Sequence, residues 1–242
     1  MRQIFFIAIF QMMAISSYGQ FSKVSRFALD QSPLSTGVSD FIDDNPNQLD
    51  GSPYYSNSNE WKKGLLYFVE EEASEVLDLR YNLFKDLIEV KFQQDSFYVD
   101  NSKIHKFKLM DDKGEFSMFF QNGYVSTDYE IEENDYFEIL YTGKTKLVVD
   151  ITAEIKVADD SFGATKAMVS GGQTPRDRIV HEKEFYLYKP DGKLHWLSLK
   201  KKEFLKEMGE HQEKVETFMK KNKLKTTKPE ELVEIISYFD SL

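Results

Sequence analysis

Four histidines stand at His105, His181, His195 and His211, and their spacing decides what chemistry they can do. A zinc site read from sequence wants histidines a few positions apart, as in HxH or HExxH, so that one face presents both rings to one ion. No such pair occurs, so no metal ligand is assigned. His105 follows Ile104 in an alternating run and belongs on the polar side of a strand, and His195 stands beside Trp196 in another. Nucleophile signatures are equally missing: there is no GxSxG elbow, no SxxK and no phosphate-cradling glycine loop. Carboxylates do cluster, at Glu70-Glu71-Glu72, Glu132-Glu133-Asp135 and Asp159-Asp160. In a chain of net charge −10 such clusters are expected on solvated loops, and none stands out as a general acid with a raised pKa. No catalytic residue and no cofactor is assigned.

Two stretches merit a closer look. The acidic run Asp40, Asp43, Asp44, Asn45, Asn47, Asp50 has calcium-loop composition. Placing Asp43, Asn45 and Asn47 at the first ligand positions of an EF-hand puts Gln48 where glycine is needed and Tyr54 where the bidentate glutamate is needed. The EF-hand pattern fails. The second stretch, Ala158 to Glu182, reads as a long connection between two strands, and such connections are either binding loops or disordered. Arg176, Arg178 and His181 are basic exceptions in an acidic region and form the candidate ligand-binding group, suited to an anion. The Gly, Ser and Thr of residues 170–174 fit a disordered linker equally well.

The elements that must hold these residues emerge from periodicity. Residues 20–52 show no period and read as an irregular lead-in, with the nearby Tyr54, Tyr55 and Trp61 expected to pin it to the main domain. From 53 to 199 the pattern is short strands. Ile88, Val90 and Phe92 alternate with Glu89 and Lys91, and similar runs recur at 64–69, 76–81, 97–99, 104–109, 116–120, 136–141, 147–157, 185–188 and 194–199. Turn chemistry separates them at Asp111-Asp112-Lys113-Gly114, Gln121-Asn122-Gly123, Thr142-Gly143-Lys144 and Pro190-Asp191-Gly192. After Leu199 the period becomes helical: Phe204, Leu205 and Met208, then Val215, Phe218 and Met219, then Leu232, Ile235, Ile236 and Phe239. Thr227-Lys228-Pro229-Glu230 fits a capping box with proline in the first turn. The expected fold is α+β: a predominantly antiparallel β meander of about ten strands, a curved sheet or partial barrel, with C-terminal helices packed on it.

Charge and composition narrow the classes of partner. There is no cysteine, which excludes disulfides, thiolate metal sites, cysteine nucleophiles and a lipid-attachment cysteine. Between Lys200 and Lys228 ten lysines face five glutamates, while the rest is strongly acidic, which argues against nucleic acid as a partner. With 20 Phe and 13 Tyr there is apolar material for a core or for an apolar ligand in a concave sheet. Met1-Arg2-Gln3, the apolar run from Ile4 to Ile15 and Ser17-Tyr18-Gly19 have the three parts of a secretory signal at 1–19. The run is too short for a spanning helix, which needs roughly 20 residues. Cleavage between Gly19 and Gln20 would leave a chain with no transmembrane segment, in the periplasm or outside the cell.

Three blocks resemble a known group: Leu79 to Val90, Arg176 to Leu187 and the lysine-rich ending from Lys200 to Leu242. They are similar to uncharacterised exported β-rich proteins of Gram-negative bacteria. The resemblance implies a periplasmic or secreted location and brings no activity, cofactor or site residue. The expectation is a non-enzymatic envelope protein that binds or scaffolds through its sheet, with an unknown envelope protein as partner. The alternatives are a carrier of lipid or another apolar ligand, and a hydrolase of envelope or external polymers.

Overall fold

A computed structural model describes residues 49–69, 73–92, 95–126, 131–158 and 176–242. The signal at 1–19, the lead-in up to residue 48, Glu70-Glu71-Glu72, Asp159-Asp160 and loop residues 159–175 lie outside the described residues.

Ten antiparallel strands form one open sheet: β1 (Lys62–Phe68), β2 (Leu77–Asn82), β3 (Leu87–Phe92), β4 (Asp95–Tyr98), β5 (Ile104–Met110), β6 (Phe116–Gln121), β7 (Phe137–Thr142), β8 (Lys146–Lys156), β9 (Arg178–Tyr188) and β10 (Leu194–Trp196). Their order is β10-β9-β8-β7-β6-β5-β1-β2-β3-β4, a meander from β5 to β10 joined through β1 to a second meander. Three helices come after them: α1 (Lys201–Glu207), α2 (Gln212–Asn222) and α3 (Pro229–Asp240). The fold is α+β with a β meander, and the sheet does not close.

Alternation sorts every strand onto two faces. The inner face carries Leu66, Leu79, Ile88, Phe107, Phe120, Leu147 and Leu187, each at most 2 % exposed. The helices add Phe204, Val215, Leu232, Ile235 and Ile236 to the same cluster. Phe107 and Phe120 stack with ring centres 4.4 Å apart, and Tyr81 and Tyr136 meet Phe107 edge-on at 5.1 and 5.0 Å. At the sheet's helix-covered end, Asp240 of α3 accepts from the Thr145 amide at 3.0 Å and its hydroxyl at 2.9 Å. A smaller outer cluster of Tyr124, Phe137, Val148, Tyr186 and Leu194 includes Tyr124 from the β6–β7 connection.

Three details depart from the sequence reading. β9 begins at Arg178 and pairs with β8 along its full eleven residues, so residues 178–182 are strand, and the connection is shorter than 158–182. Its middle carries His181, Glu182, Lys183 and Glu184 on both faces, which hides the strand period. The cap of α3 is Lys228, with Pro229 in the first turn and no side-chain bond from the cap. Lysine has no acceptor oxygen, so the capping box does not form: Glu231 takes the Lys225 amide at 2.6 Å instead of the amide of the cap itself. Between Gln121 and β7 the chain makes a long connection instead of a tight turn, with Gly123 at φ 79°.

Candidate binding surface

Residues 49–54 cross the sheet, and the chain then turns at 54–57, with Asn57 at φ 51°. Asp50 bridges Arg178 of β9, and Tyr54 bridges Asn82 of β2. Neighbouring side chains in an extended stretch point to opposite sides, and the two tyrosines use this. The Tyr55 hydroxyl reaches Glu138 on the inner face at 2.6 Å, while the Tyr54 hydroxyl reaches Glu89 on the outer face at 2.9 Å.

Around Tyr54 the outer face holds a built cation–aromatic cluster. The β2–β3 register sets Arg80 directly opposite Glu89. Arg80 donates Nε to Glu89 at 3.0 Å and pairs with it through Nη2 as well. The guanidinium carbon lies 4.0 Å from the Tyr54 ring centre and 4.2 Å from that of Trp61, so the cation is sandwiched between two rings. Such desolvated cation–ring contacts are worth on the order of 2 kcal/mol. Burial and the Glu89 charge push the Tyr54 hydroxyl well above its ordinary pKa, so it remains a donor. Beside the cluster opens a shallow cleft whose lining includes Tyr54, Tyr55, Glu60, Lys62, Arg80 and Leu109.

The rest of the outer face of β1–β6 continues the theme. Lys91 lies over Trp61 at 5.8 Å, and Lys108 lies over Tyr67 at 4.9 Å and Phe119 at 5.2 Å. The registers explain the last contacts: Lys108 stands opposite Leu65 and Phe119, and Lys106 opposite Tyr67 and Gln121. The two carboxylates projecting outward from these strands are both spent, Glu89 on Arg80 and Asp78 on Lys63 at 2.8 Å. Lys91, Lys106 and Lys108 have no carboxylate within 4 Å among the described residues.

The sequence candidates fall elsewhere. Arg176 and Arg178 are exposed at the entry to β9. His181 shares the inner face with Ile179, and its Nε2 pairs with the Ser52 carbonyl at 2.9 Å. Arg178 and His181 are thus on opposite faces, and the structure does not bring them together. His195 is on the edge strand β10 and bonds Asp191 at 2.7 Å. His105 meets Asn122 at 3.3 Å, and the His211 ring meets Phe239 at 5.9 Å.

A raised carboxyl stands at the β2–β3 turn. Asp86, at φ 47°, accepts from the Tyr81 hydroxyl and from the Tyr136 amide at 3.4 Å. Burial, with the Asp135 charge adding to it, pushes its carboxyl up to about 7. Burial and the charges of Asp135 and Glu184 push Asp150 up to about 6. Neither aspartate lines the cleft, and Asp86 is already held by its two donors. Among the described residues no three histidine or acidic side chains converge as a metal site.

No sequence signal marked Arg80, because its partners Tyr54, Trp61 and Glu89 are distant or separated by a turn. The one legible hint was Glu89, a carboxylate alternating between Ile88 and Val90. The chain matches no protein-family model, no curated protein and no solved structure.

Proposed function

We propose that this chain is a non-enzymatic exported protein of the bacterial envelope that binds its partner through the outer face of β1–β6. The observation that carries this reading is the distribution of charge: unpaired Lys91, Lys106 and Lys108 interleave with Trp61, Tyr67 and Phe119 on one side of a sheet, in a chain of net charge −10. The inner face is occupied by its own side chains and helices, which weighs against a carrier of apolar ligand. The raised carboxylates lie outside the cleft, which weighs against a hydrolase.

A photo-crosslinking residue placed at Lys106 in the cell that makes the protein tests the reading, with a second at exposed Lys214 of α2 as control. An adduct formed from position 106 and not from 214 is the expected result. Absence of any adduct from position 106 overturns it.

A further inference from the structure

Resting on that reading, we infer that the outer face of β1–β6 takes an acidic polysaccharide, its sugar rings laid on Trp61, Tyr67 and Phe119 and its carboxylates met by Lys91, Lys106 and Lys108. Two properties of the face argue for this occupant together. Charge complementarity requires an anion: the outward side chains of these strands include Lys63, Arg80, Lys91, Lys106 and Lys108 against Asp78 and Glu89, and both carboxylates are neutralised within the protein. The cations also do not stand alone. Lys91 and Lys108 each lean over a ring, so an anion reaching the ammonium brings the rest of its molecule over an aromatic surface. The C–H faces of a pyranose suit such a surface, whereas a bare inorganic anion gains nothing from it.

Spacing and charge density favour a glycan over a nucleic acid. Lys91 on β3 and Lys108 on β5 are separated by β2 and β1, three strand spacings or roughly 14 Å, while Lys106 and Lys108 are about 7 Å apart along one strand. This is a sparse set of cations spread over a few sugar units. A nucleic acid offers a phosphate at every unit and depends on a dense positive field to neutralise it, which three unpaired lysines on an acidic body do not supply. The Arg80 sandwich has a supporting part. Held between Tyr54 and Trp61 and closed by Glu89, it fixes the Trp61 ring before any ligand arrives, lowering the cost of ordering on binding.

The test is affinity electrophoresis of the purified protein through native gels containing sodium alginate, a polyuronate, with dextran as the neutral glycan and oligo(dT) as competitor. Alginate retards the protein, dextran does not, and added salt weakens the retardation because the contact is ionic. The triple variant Lys91→Gln, Lys106→Gln, Lys108→Gln loses at least about tenfold in apparent affinity while its melting temperature stays close to wild type, since none of the three holds an ion pair. Lys202→Gln, Lys206→Gln and Lys221→Gln on the helices leave retardation unchanged. No retardation by alginate, equal loss in the helix variant, or displacement by oligo(dT) at lower concentration than free alginate overturns the inference. An adduct at position 106 that proves to be protein overturns it too, while leaving the binding reading in place.

Discussion

The Tyr55 hydroxyl donates a 2.6 Å hydrogen bond to Oε1 of Glu138, 83 positions further along the chain. Glu138 is 9 % exposed and lies on the inner face among apolar neighbours. Burial raises its carboxyl above the ordinary range, and the Tyr55 bond pulls it back down. Removing the donor leaves a desolvated carboxylate. Tyr55→Phe should therefore destabilise the fold by about 1–3 kcal/mol at neutral pH. The cost should shrink at pH 4, where Glu138 takes a proton more readily. Urea unfolding at both pH values measures this, and an equal loss at each would contradict it.

Asp86 makes the fold sensitive to pH. Its folded carboxyl, lifted to about 7, binds its proton more tightly than the unfolded chain does. Its contribution to stability is then complete below about pH 4 and lost as the pH climbs through about 7. Asp150 acts in the same direction and is spent by about pH 6. Melting temperature should fall across this window. Asp86→Asn should flatten the fall and be about 2–4 kcal/mol more stable than wild type at pH 8. Parallel melting curves for the two proteins from pH 4 to 8 would refute the assignment.

The Arg80–Glu89 pair should be costly to break and cheap to replace. Glu89→Ala strands a guanidinium whose side chain is 18 % exposed, with an expected loss of about 3–5 kcal/mol. The double variant Arg80→Met, Glu89→Leu removes both charges and should recover most of that. Chemical denaturation of the single and double variants gives the comparison, and additive losses would mean the pair acts as two independent residues.

Gly143 and Asp240 should behave as one unit. A Cβ on Gly143 would collide with Asp240 Oδ2 and the Tyr141 hydroxyl, and Asp240 anchors α3 to Thr145. Gly143→Ala should cost about 1–3 kcal/mol. Combined with Asp240→Ala, the total should be well below the sum of the two. Thermal denaturation decides it.

Much of this architecture is readable from side-chain period. Ile88, Val90 and Phe107 announce their strands because one face is apolar and the other polar. Helical stripes such as Leu232, Ile235 and Ile236 mark what packs inward. Gly114 and Gly192, both at φ 80°, do what their turn sequences require. The first half of β9 was not readable, since the polar run from His181 to Glu184 covers both faces and separates Ile179 from the apolar Phe185–Leu187, and its strand character comes from pairing with β8. The outer surface was hidden for a related reason. Lys108 is unremarkable until the register sets Phe119 beside it, and register is a property of the assembled sheet. Arg178 and His181 look like neighbours on paper, yet alternation sends them to opposite sides.

The two ladders flanking the middle of the sheet are short: β1 meets β2 only from Lys62–Leu79 to Gly64–Leu77, and β6 meets β7 only at Phe120–Glu138 and Gln121–Phe137. Mechanically the sheet is three slabs laid edge to edge. The stretch from Asp50 to Tyr55 touches all of them: β9 through Asp50 and Ser52, Phe120 edge-on at 4.9 Å through Tyr55, and β2 through Tyr54. It works as a splint. Together with the core that all three slabs share with the helices, six residues outside any strand thus brace the sheet across its two short seams.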